Sequence, residues 1–96
     1  MTEKLYDKDS HLKEFTGTVL SCKKTGEKYA VTLNRTAFFP EGGGQQSDRG
    51  YIGDAYISDV QIKNGEILHF ADKPLSVGQA YDCKLDFDFR FRNMQN

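Results

Sequence analysis

The sequence predicts a small all-β domain, a barrel or a sandwich, and three observations carry that prediction. Several stretches alternate apolar and polar residues with the period of a strand. Almost none sustain a helical period, and turn signals recur about every 8 to 15 residues. Ninety-six residues suit one domain, able to bury on the order of 65% of the surface its unfolded chain exposes.

The first predicted element is a hairpin from about 15 to 34. Its first strand, "EFTGTVLSCKK", is rich in β-branched residues, with Gly17 as a bulge or a point of close approach. The turn is "TGE", and "KYAVTL" then sets Tyr29, Val31 and Leu33 on one face. "TAFF" extends to Pro40, which fixes its own φ, biases Phe39 toward extended backbone and ends the strand. A second hairpin follows: "AYISDVQIK" places Tyr56, Ser58, Val60 and Ile62 on one face, and Asn64-Gly65 turns the chain into "EILHF". Asn-Gly is a strong hairpin signal because both turn residues need positive φ. After a loop with Pro74 and Gly78, "AYDCKLDF" points Tyr81, Cys83, Leu85 and Phe87 one way and Asp82, Lys84 and Asp86 the other. The C-terminal "DFDFRFRNMQN" fits two periods. Read with period 2 it prolongs the strand; read near 3.6, Phe87, Phe91 and Met94 form a stripe, with Asp86 or Asp88 able to cap the first turn.

Composition removes several classes of function. Thirteen basic and 14 acidic residues leave a net charge of −1, which supplies no global attraction for nucleic acid. No apolar run approaches the ~20 residues of a spanning helix, so no membrane partner is expected. The N-terminus lacks the apolar core of a secretory signal, and the expected location is cytoplasmic. Cys22 and Cys83 have no C-x-x-C spacing and are expected to be reduced, packed residues. With His11 and His69 they reach four zinc ligands only by count, since no pair has zinc-finger spacing. His69 on "EILHF" is expected to be structural.

The segment "FFPEGGGQQSDRG" is the unusual one. As a phosphate cradle it lacks the Lys-Ser/Thr of a P-loop, opens no predicted helix, and has Ser47 where G-x-G-x-x-G needs its third glycine. A linker is unattractive between strands of one domain. A plain tight connection rarely needs more than one or two glycines, because ordering three is entropically expensive. Hydrogen-bonding groups from Gln45 to Arg49 cluster at the loop's exit, where binding tends to sit.

"LNRTAFFPEGGGQQSDRG" resembles the glycine-rich motif of the alanyl-tRNA-editing proteins of the AlaX type, free-standing relatives of the editing domain of alanyl-tRNA synthetase. The similarity continues through "GYI", Val60, "NGEILHF" and "VGQAYDCKLDFDFRFRNMQN". It implies a small β-barrel of the translation-protein type with the start of a helix at its C-terminal end. It implies hydrolysis of the ester joining tRNA(Ala) to a wrong amino acid, serine or glycine. A pocket shaped for alanine rejects neither an added hydroxyl nor a smaller side chain strongly, so a second site corrects the product. By the same resemblance Gly42, Gly43 and Gly44 admit the 3′ adenosine and the ester at the acceptor end, and Gln45 and Asp48 supply hydrogen bonds; the residues by themselves equally allow Asp48 to close the turn with Gly50 as an Asx motif and Gln45 to bond its own loop's backbone.

In the family a His-x-x-x-His motif with a later Cys and His binds zinc, and this sequence stops at Asn96 ahead of any such motif. The expectation is therefore an N-terminal barrel, residues 1–96, without catalytic or metal-binding residues of its own, inactive alone, in a longer protein that carries zinc. Two alternatives are a non-catalytic module that binds RNA or a synthetase, and a piece of alanyl-tRNA synthetase itself. Arg90 and Arg92 would touch the tRNA backbone or cover the apolar stripe, and exposed C-terminal apolar residues would allow self-association.

Overall fold

A computed structural model describes residues 2–7, 12–42, 44 and 46–89. Its strands are β1 (Glu3–Lys4), β2 (Glu14–Thr25), β3 (Lys28–Leu33), β4 (Arg35–Thr36), β5 (Gly50–Ile52), β6 (Ala55–Lys63), β7 (Glu66–Ala71) and β8 (Ala80–Leu85), with a 3₁₀ turn at Leu5–Asp7. Six of them close into a ring in the order β2-β3-β7-β6-β5-β8, every neighbouring pair antiparallel. The all-β expectation holds, and among the described residues no helix is long and apolar enough to cross a membrane.

Both predicted hairpins form. Asn64 and Gly65 have φ of 53° and 79°, the two positive values a type I′ turn requires. β8 alternates as read, with Cys83 and Leu85 buried and Asp82 and Lys84 exposed. Inside the ring, Val19, Val31, Leu33, Phe38, Ile52, Ile57, Val60 and Ile67 are almost wholly buried, each contributing about 1.5–3 kcal/mol by transfer from water.

One face assignment is corrected. The single face expected for Tyr56, Ser58, Val60 and Ile62 is broken by a register shift between Ile57 and Asp59. Ala55 and Ile57 point inward before it and Val60 after it, while Ile62 is 48% exposed. A bulge adds one residue to a period-2 pattern and so exchanges the faces beyond it. A like shift in β2 lies between Val19 and Ser21; Gly17 is instead a point of close approach, where a Cβ would sit 3.3 Å from the Arg35 carbonyl oxygen.

Ring closure depends on β8, which pairs with both β2 and β5. At Gly50 a Cβ would lie 2.0 Å from the Lys84 carbonyl oxygen, so no other residue fits there without moving backbone. Outside the ring, β1 runs parallel to β4, with Glu3 opposite Arg35 and Lys4 opposite Thr36. Beyond β8, residues 87–89 are helical, and Asp86 Oδ1 accepts the Phe89 N–H at 3.0 Å, the N-cap bond expected of Asp86. Phe91 and Met94, and with them the rest of the apolar stripe, Arg90, Arg92 and the proposed self-association surface, lie outside the described residues.

Candidate functional site

The glycine-rich segment leaves β4 and returns at β5, and its neck is fixed from both sides. Phe38 turns into the core, where its ring meets Phe15 at 5.9 Å and His69 at 5.4 Å, both edge-to-face. Phe39 turns outward and is 47% exposed, while its backbone is held by Asp48. Its N–H donates to Asp48 Oδ2 at 2.8 Å, and the Asp48 N–H donates to its carbonyl oxygen at 2.9 Å. Asp48 is only 4% exposed, so this predicted site residue spends hydrogen bonds on the loop itself.

The flanks are tied to β6. Glu41 N–H donates to the Val60 carbonyl oxygen at 2.9 Å. Ser47 Oγ donates to Asp59 Oδ1 and accepts the Val60 N–H, each at 2.9 Å. The Gln61 amide donates to Asp59 at 3.0 and 3.1 Å, and also to the Glu41 carboxylate. Sequence reasoning missed Asp59 and Gln61. Their signal was a pair of polar residues two apart on β6, the second strand after the loop, positioned by the bulge the alternation concealed. Beside them lies an open groove of about 330 Å³ lined by Glu41, Gln46, Ser47, Arg49, Ser58 and Asp59.

The apex behaves differently from its supports. Gly42 and Gly44 are exposed, and a Cβ at either would meet no atom within 4 Å. Gly44 needs glycine for its φ of 82°, but Gly42 has no such need. The domain's own packing therefore gives no reason for the missing side chain at Gly42. Gly43 and Gln45 lie outside the described residues. At the exit, the Arg49 carbonyl oxygen accepts the Asp86 N–H at 2.7 Å, and the Arg49 guanidinium sits 4.4 Å from the centre of the Phe89 ring.

Under the loop's entry strand lies a buried polar pair. His69 Nδ1 is 2.9 Å from the Val31 carbonyl oxygen, which can only accept, so Nδ1 carries the proton. Nε2 then accepts from the Thr36 hydroxyl at 2.8 Å, and Thr36 Oγ1 accepts the Phe38 N–H at 3.0 Å. Complete burial lowers the imidazole from 6.5 to about 4, against a smaller opposing effect of the Val31 carbonyl. The histidine is structural, as expected from its strand position.

The described residues do not fit a zinc ion. No three His, Cys, Asp or Glu side chains among them are grouped to hold a metal, and both His69 nitrogens are committed. Cys22 and Cys83 are free thiols. Burial first, and the Asp82 carboxylate less, push Cys83 up to about 12, opposite to a metal-binding thiolate.

The chain is thus a closed all-β ring that carries a glycine loop braced at its neck and flanks. Residues 6–89 match the family described as tRNA synthetases class II (A), and the chain belongs to it. Among its relatives, it is 38% identical over 98 residues to the alanyl-tRNA editing protein AlaX-M of Pyrococcus horikoshii, covering 99% of this chain and 44% of that one. It is 36% identical over 102 residues to AlaX-L of the same organism, covering 99% and 25%. The alanine–tRNA ligase of Halorubrum lacusprofundi is 40% identical over 95 residues, covering 95% of this chain and 10% of the ligase. The chain spans less than half the length of each of these relatives.

Proposed function

We propose that this chain is the barrel half of a cytoplasmic alanyl-tRNA editing hydrolase, the half that presents the glycine loop to the acceptor end of mischarged tRNA(Ala). The substrates are Ser-tRNA(Ala) and Gly-tRNA(Ala). The observation that carries the reading is the contrast within the loop. Its neck and flanks are pinned by Asp48, Ser47 and Asp59, while its apex carries a glycine at 42 that neither space nor backbone requires. A stiff wall without side chains gives clearance to a bulky ligand and leaves backbone N–H groups open to it. The alanyl-tRNA editing relatives support tRNA(Ala) as that ligand. Gly42, Gly43 and Gly44 line the approach of the 3′ adenosine, Gln45 contacts the aminoacyl end, and Asp48 holds the loop in place. Zinc belongs to the remainder of the complete protein, where it polarises the ester or its attacking water.

Deacylation of serine-charged tRNA(Ala) tests this. The 96-residue chain alone is expected to show no zinc-dependent turnover. Joined to the remaining domain of an AlaX-M relative it is expected to deacylate, and Gly42→Val is expected to abolish that activity without lowering the melting temperature. Appreciable turnover by the chain alone, or full activity of the Gly42→Val protein, contradicts the division of labour.

A further inference from the structure

Phe39 is the aromatic side chain that the loop's supports hold outward. Exposed apolar residues are ordinary singly, and Leu20, Ile62 and Val77 are of that kind. Phe39 differs in three ways. Its backbone is pinned in both directions by Asp48, it stands three residues before Gly42, and its ring is braced by Tyr6, with centroids 4.8 Å apart and planes tilted by 54°.

The brace comes from the topology. β1 and β4 run parallel, so the two segments leave the paired ribbon at the same end, one delivering Tyr6 and the other Phe39. Tyr6 packs partly against the core, which leaves Phe39 as the outward member. Burial, with the Asp7 carboxylate adding to it, raises the Tyr6 phenol above its ordinary 10.0; the pair stays uncharged and does not repel phosphate. A rigid, half-exposed ring beside an open backbone wall suits a flat aromatic ligand, and the unpaired 3′ end of an RNA carries one on its last nucleotide.

We propose that Phe39, braced by Tyr6, is the platform on which the terminal nucleobase of the acceptor end stacks. This rests on the proposed function and adds to it the contact that seats the base while the glycines clear the ester. The chain has no tryptophan, so Phe39→Trp introduces a single indole whose emission a stacked base quenches. The probe is a hairpin RNA copying the tRNA(Ala) acceptor stem, ending in an unpaired adenine or in an abasic nucleotide. Its binding to the 96-residue chain is followed by anisotropy of a fluorescent label on the RNA.

The adenine-ended hairpin is expected to quench the Phe39→Trp emission and the abasic one to leave it bright. Phe39→Leu, with the melting temperature of the wild type, is expected to bind the adenine-ended hairpin about tenfold more weakly and the abasic hairpin unchanged. If Phe39→Leu keeps the wild-type preference for adenine, or saturating RNA leaves the indole bright, the platform is refuted while RNA binding, and the editing reading, stand. If the wild type binds neither hairpin, the platform is refuted, while the editing reading stands or falls on deacylation by the joined protein.

Discussion

Acidification should weaken this protein through one residue. His69 is neutral in the fold, its Nδ1–H given to Val31 and its Nε2 accepting from Thr36, and its folded value of about 4 lies below the ordinary 6.5. Because the folded state binds the proton less readily than the unfolded one, stability is fully present above pH 6.5. It drains away as the pH falls from 6.5 to about 4, below which His69 removes nothing further. At about 1.4 kcal/mol per pH unit, that interval is worth about 3 kcal/mol, a large share of the 5–15 kcal/mol typical of a domain. Urea unfolding of the wild type and of His69→Gln, followed by circular dichroism from about pH 7.5 down to about pH 4.5, reads the effect. The quantity compared is the change in unfolding free energy with pH, since the variant carries its own packing penalty. Carboxylates contribute equally to both proteins, so the wild type should lose about 2–3 kcal/mol more than the variant over this range. Equal losses would refute the assignment of a neutral, buried imidazole.

Other perturbations have equally defined outcomes. Gly50→Ala drives a methyl group against the Lys84 carbonyl oxygen, so β5 should part from β8 and the chain should lose about 3 kcal/mol or fail to fold; a thermal melt within a few degrees of the wild type contradicts this. Asp48→Ala strips the Phe39 N–H of its acceptor, at about 1–3 kcal/mol. Hydrogen exchange should show the Phe39 amide opening faster, and less so in Asp48→Asn, which keeps an acceptor oxygen. Cys83, pushed up to about 12, should resist iodoacetamide near pH 8 until the protein is unfolded, whereas Cys22, on a partly exposed strand position, reacts first; native labelling of both at one rate would place Cys83 outside the core.

What the sequence makes legible here is what is local. The Asn64-Gly65 turn, the alternation of β8 and the Asp86 cap each depend on residues within a few positions, and each is found where their chemistry places it. The parallel pairing of β1 with β4 and the closure at Gly50 depend on strands far apart in the chain, which carry no local mark; the bulge beyond Ile57 lies within a hairpin but leaves the alternation of residue types unbroken. The site divides the same way. Three glycines announce a loop that must admit something, but Asp48 reads equally as a ligand to substrate or to backbone. Its bond to Phe39, nine residues earlier, decides what it holds.

The closing strand has a consequence for how the molecule is made. The hairpins β2–β3 and β6–β7 need only neighbours in sequence and can assemble as they leave the ribosome. β2 and β5, however, each keep a bare edge until Ala80–Leu85 arrives between them. Until residue 85 has been made, the nascent chain is therefore an open sheet with two pairing-competent margins, the condition in which strands from different copies find one another. The charged residues that β8 turns outward, Asp82 and Lys84, cover the seam last, and a stalled or clipped chain short of residue 80 should be the species that aggregates.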